Sequence, residues 1–140
     1  LLALARFALL PDDDLTLATV LRSPVIGLSE SALFDLAHGR EGRLWRTLVG
    51  RRDEFPEAHA ILADLLAQAD FLRPYEFFEH ALGHHGARAR LLGRLGVQAE
   101  DPVDELLAQK ERIGTYTVQA RFALAALYDL SSTTVGASRE

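Results

Sequence analysis

Apolar residues recur along this chain at spacings of three and four, and strict alternation never persists beyond a few positions. That pattern predicts helices throughout and no sheet. The first helix covers Leu1 to Leu10 and stops at Pro11; it is apolar nearly all round, which suits an element buried on several sides, in part by flanking chain. Asp12-Asp13-Asp14 then supplies an N-cap and first-turn negative charge for a second helix carrying Leu15, Leu17, Val20 and Leu21, closed by Ser23-Pro24. Ser29 caps a third, with Leu28 and Leu33 at the positions that staple a helix entry and Gly39 as its stop. A short fourth helix, Arg43 to Gly50, has Leu44, Trp45, Leu48 and Val49 on one side and Arg43 and Arg46 on the other.

Pro56 opens a fifth helix that runs to Gln68, and Pro74 another, with Tyr75, Phe78, Ala81 and Leu82 on one stripe until Gly83 interrupts it. Between Ala87 and Leu95 a face of Leu91, Leu92 and Leu95 leaves Arg90 and Arg94 turned away as an i,i+4 pair, and Gly96 ends the helix. Two more helices are expected, from Asp101-Pro102 to about Arg112 and from about Thr117 to Leu130. The polar end, Ser131 to Glu140, reads as a flexible tail. The expected architecture is a single all-α domain over residues 1–130, built from eight or nine short helices. No repeat of 34 to 45 residues brings these segments into register, which disfavours a solenoid.

Composition narrows the picture. A chain of 140 residues, 49% apolar and 25% charged, is long enough to bury roughly 70% of its unfolded surface without staples. With no cysteine, thiol catalysis, disulfides and Cys-ligated zinc are excluded. The absence of methionine and the abrupt apolar opening read as a piece of a longer polypeptide. The opening run contains Arg6 and spans about ten residues where a membrane helix needs about twenty, and it lacks the basic start of a signal peptide. The cytoplasm is therefore the expected location.

Formal charge is −5, so the chain as a whole does not attract nucleic acid. The charge is segregated, however. Arg40, Arg43, Arg46, Arg51 and Arg52 face Glu41 alone between His38 and Arg52, whereas residues 97–140 carry an acidic excess.

Candidate chemistry is sparse. No glycine-rich phosphate loop occurs, so ATP hydrolysis is not expected of this segment. Gly27-Leu28-Ser29-Glu30-Ser31 lacks the last glycine of a nucleophile elbow, which leaves Ser29 as a cap. His80, His84 and His85, with Glu76 and Glu79 nearby, are the strongest metal candidates, because Glu76, His80 and His84 fall at i,i+4 spacing. Helix-end capping and solvent exposure are favoured over a metal because H-E-x-x-H is missing and Gly83 and Gly86 fray the helix. Asp12 to Asp14 likewise read as a cap rather than a magnesium site. Phe71, Tyr75, Phe77 and Phe78 read as core packing rather than a base-stacking platform, with Tyr75 the partly exposed member. The remaining signal is arginine: Arg43 with Arg46, and Arg90 with Arg94, oppose apolar stripes and are candidates for DNA-backbone contact.

The order of local motifs carries a resemblance. Ala3-Leu4-Ala5-Arg6-Phe7-Ala8-Leu9-Leu10-Pro11-Asp12-Asp13-Asp14-Leu15, followed by Leu21-Arg22-Ser23-Pro24-Val25-Ile26-Gly27-Leu28-Ser29, resembles the "P-x-D-D" helix end and "L-x-S-P-[LVI]-[FI]-G" turn of UvrD/Rep-type superfamily 1 DNA helicases. Leu33 to Arg40, Leu44-Trp45, Tyr75 to Phe78, Arg90 to Gly96 and Asp101 to Glu105 are most similar to AddA-type helicase-nuclease subunits of double-strand-break repair complexes. The likeness spans about residues 1–108 and does not extend through 109–130 or the tail.

The resemblance implies the helical 2B-type insertion of the second motor half, which touches duplex DNA ahead of the motor and regulates unwinding. It places ATP, magnesium, the motor and the nuclease outside this chain, with an AddB-like subunit as a partner, so no cofactor or catalytic residue is expected here. The competing expectation is a helical protein-interaction module without DNA binding, using the apolar face of Leu1 to Leu10 with Phe7. A metal-dependent enzyme built on His80 and His84 is the least favoured.

Overall fold

A computed structural model describes residues 1–96, and every helix expected in that range forms. They are α1 (Leu2–Leu9), α2 (Asp14–Arg22), α3 (Glu30–Ala37), α4 (Leu44–Gly50), α5 (Pro56–Ala69), α6 (Pro74–Gly83) and α7 (Ala87–Leu95). Among the described residues there is no strand, and no helix is long and apolar enough to cross a membrane. The helices expected at 101–112 and 117–130 and the tail from Ser131 lie outside the described residues.

Local chemistry sets the boundaries. The Asp13 carboxylate accepts from the Leu15 and Thr16 amides and, at 2.7 Å, from the Thr16 hydroxyl, so α2 begins one residue later. Ser29 Oγ accepts from the Ala32 amide at 3.1 Å to start α3. Past the end of α3, Gly39 turns the chain at φ +69°, a conformation that costs glycine little. Pro56 and Pro74 occupy the opening turns of α5 and α6, where a missing N–H costs nothing.

Packing follows from the stripes. α1 lies on α2 and α5, α2 also meets α3 and α4, and α5, α6 and α7 continue as a chain of neighbours. Phe7, Leu17, Val20, Leu21, Leu36, Leu48, Leu62 and Leu65 are completely buried where these elements meet. Each such side chain contributes about 1.5–3 kcal/mol of transfer free energy. Ala58, Ile61, Leu62, Leu65 and Ala69 recur along α5 at the three-and-four spacing that makes it the long inner helix of the core.

Several faces differ from the sequence expectation. Leu15 is 79% exposed, because α2 turns Thr16, Leu17, Val20 and Leu21 inward and Leu15 lies off that stripe. α1 buries Leu4, Ala5 and Phe7 and packs Ala3, Ala8 and Leu9 partly against the core, while Leu2, and Leu10 just past its end, are exposed. In the aromatic cluster Phe77 and Phe78 are core and Tyr75 is half-buried, while the outlying member is Phe71, 78% exposed in the turn between α5 and α6. Val49 and Leu95 also reach the surface.

Candidate nucleic-acid interface

The arginine-rich segment is organised by α4, and what positions α4 is an acid that belongs to another helix. Arg43, its N-cap, makes no side-chain cap. Instead Asp14, in the first turn of α2, accepts from the Leu44 amide through Oδ1 at 2.8 Å. Its Oδ2 accepts from Arg40 Nη2 at 2.9 Å, and Arg40 also donates to the Ala37 and Gly42 carbonyls. The Leu44 hydrogen bond, and after it the Arg40 guanidinium, hold the Asp14 carboxyl below its ordinary range.

The other end of α4 is fixed in the same manner. Arg51 meets Glu54 in a two-pronged pair, Nε to Oε1 at 2.9 Å and Nη2 to Oε2 at 2.6 Å, and its Nη1 donates to the Asp35 carbonyl at 2.7 Å. Between these ties Leu44 and Leu48 are buried, and Trp45 packs edge-on to Phe7 and stacks with His59 at 5.5 and 6.0 Å between centroids. Arg40 and Arg51 are thus structural. Arg43 at the N-cap, Arg46 on the helix and Arg52 in the turn that follows are left exposed around an element held at both ends.

The second candidate pair divides. Arg94 is exposed in the last turn of α7. Arg90 is not turned away: its side chain is 34% exposed, Nη2 donates to the Val25 carbonyl at 2.6 Å and Nη1 meets Glu57 at 3.2 Å. It ties α7 to the turn after α2 and to α5, so its guanidinium is already occupied. Among the described residues Arg46 and Arg94 make no ion pair. Helices α4 and α7 are not principal packing partners, so the two pairs do not form one continuous patch by direct helix contact.

The metal candidates also regroup. Glu76 leaves the set because its carboxylate caps its own helix, accepting from the Arg73 amide at 3.0 Å. His84 is exposed and stacks on His80, with centroids 4.7 Å apart. The partner of His80 is Asp64, whose Oδ2 lies 2.6 Å from His80 Nε2 and 2.7 Å from His85 Nε2. Sequence reasoning missed Asp64 because it sits 16 residues away on α5, and no local motif announces it. It placed Asp14 only in the capping run of α2 and missed its partners Arg40 and Leu44 for the same reason.

No family model matches the chain, no curated protein matches its sequence, and no solved structure matches its fold.

Proposed function

We propose that this chain is a non-catalytic helical accessory module of an ATP-dependent DNA helicase of the UvrD/Rep type, AddA-like and acting in double-strand-break repair. It touches the DNA backbone and regulates the motor. The observation that carries the reading is α4, a helix tied at both ends, with Arg43 at its N-cap, Arg46 on its surface and Arg52 in the turn after it all exposed. Guanidinium groups on a fixed scaffold suit phosphate, and contacts of this kind set position rather than read sequence. The order of motifs along residues 1–108 supports the same assignment. Under it, ATP, magnesium and nuclease chemistry belong elsewhere in the same polypeptide, an AddB-like subunit is the protein partner, and the setting is cytoplasmic.

The test is duplex DNA binding by fluorescence anisotropy across a salt series. Replacing Arg43 and Arg46 together by alanine removes two phosphate contacts and flattens the slope of log K against log salt by about 1.8; Arg94→Ala removes about 0.9. Arg90→Ala leaves the slope unchanged and instead lowers stability by about 1 kcal/mol, since the Val25 carbonyl loses its donor. An unchanged slope in the Arg43/Arg46 variant overturns the assignment.

A protein-interaction module without DNA binding is the second reading. It is favoured by exposed Leu2 and Leu15, which line a common groove of about 320 Å³ between α1 and α2. Phe7, expected to share that surface, does not: it is completely buried.

A further inference from the structure

Asp64, His80 and His85 come from three different places in the fold. Asp64 is midway along α5, His80 is in the last turn of α6, and His85 is in the turn that follows. Gly86 makes that turn at φ +67°, a left-handed conformation that sends α7 off in a new direction and leaves His85 facing back to α5. The two imidazole rings approach the carboxylate at 88° to one another. Their Nε2 atoms converge on a single oxygen, Asp64 Oδ2, and one ligand atom from each of the three residues lies within 4.8 Å of the other two.

We propose that Asp64, His80 and His85 form a binding site for a single divalent transition cation of the zinc class. Donor chemistry favours it: two imidazole nitrogens and a carboxylate are a ligand set typical of zinc, and His80 and His85 have four residues between them, within the usual H-x₃₋₅-H range. Geometry permits it as well. Ligand atoms bound at about 2.0–2.1 Å in a tetrahedral shell lie about 3.3 Å apart. Each oxygen–nitrogen separation, now 2.6 and 2.7 Å, therefore has to lengthen by roughly 0.6–0.7 Å to admit the ion.

The three side chains are 19–30% exposed, so an aquated ion reaches them and one coordination position stays with water. Without the metal each Nε2 is hydrogen-bonded to Asp64; on binding, each neutral ring carries its proton at Nδ1 and turns the Nε2 lone pair to the ion. Asp64 already directs one carboxylate oxygen at both rings and supplies the anionic ligand. The bound ion would pin α5 to the corner between α6 and α7, a structural role independent of any DNA contact by α4.

The experiment uses the whole chain, stripped with a chelator, and zinc chloride alone as the titrant, followed by calorimetry. Expected are one equivalent bound and a rise in melting temperature on zinc addition. Asp64→Asn, His80→Gln and His85→Gln each weaken binding by more than about 10-fold. His84→Gln and His59→Gln do not, which separates a built site from loose association with surface histidines. Cobalt substitution of the unaltered protein gives the visible absorption bands of a tetrahedral centre and needs no variant to fold. Binding that survives Asp64→Asn, equal loss in His84→Gln, absence of the cobalt bands, or no saturation by about 1 mM zinc overturns the proposal.

Discussion

Asp14 is the residue at which two helices depend on one side chain. It lies in the first turn of α2, where negative charge is favourable, yet both its oxygens serve the approach to α4. Asp14→Ala removes a helix cap and an ion pair at once and should cost about 1–2 kcal/mol, read as a lower urea midpoint at unchanged m-value. The same contacts give a pH signature. Because the folded state holds this carboxyl below the ordinary value of 3.8, its contribution is fully present above that value and is lost as pH falls through the folded one. The difference between native protein and Asp14→Ala should therefore be constant above about pH 5 and shrink as pH falls below the ordinary carboxylate value. A gap that persists unchanged in acid would show that the charge on Asp14 does not matter. The Asp12 to Asp14 run is readable in sequence as helix-capping chemistry, and Asp13 fulfils it. That Asp14 caps a different helix, 30 residues away, is not readable, because capping in trans depends on which elements fold against each other.

At the scale of elements, punctuation was legible and orientation was not. Prolines 56 and 74, glycines 39 and 96, and the caps Asp13 and Ser29 act on backbone within about three residues of themselves, so α2, α3, α5, α6 and α7 begin and end close to where the sequence puts them. A stripe at three-and-four spacing also finds the buried side of α4 through Leu44 and Leu48, although Val49 at its edge reaches the surface. Where a helix carries spare apolar residues, the partner chooses. Leu15 and Leu17 both belong to α2 and are equivalent on hydrophobicity, yet Leu17 is completely buried and Leu15 is at the surface. Leu17→Ala should cost about 2–5 kcal/mol and Leu15→Ala less than about 0.5 kcal/mol, measured by urea denaturation. Equal costs would mean that α2 is rotated about its axis from the position described here. Arg90 escaped the pattern for a related reason: a long amphipathic side chain on the edge of an apolar face folds its head back to a carbonyl when one lies within reach.

Across the whole molecule two surfaces compete to explain the domain, and they lie on separable residues. Net charge of −5 opposes general attraction to a polyanion, so any DNA contact must be local, few in phosphates and strongly oriented. The exposed arginines of α4 meet that requirement; the groove of Leu2 and Leu15 suits an apolar partner instead. Each surface can be altered without touching the other. Leu15→Lys places a charge in the groove at a position too exposed to matter for folding. If α4 is the working surface, Leu15→Lys leaves the salt dependence of DNA binding as it was, and the Arg43/Arg46 double alanine variant leaves the mass seen in light scattering unchanged. If the groove is the working surface, Leu15→Lys abolishes association that the arginine variant retains, and no salt-dependent DNA binding is there to be lost. The two variants therefore move different readouts, and a single substitution that moved both would require the groove and α4 to act as one interface.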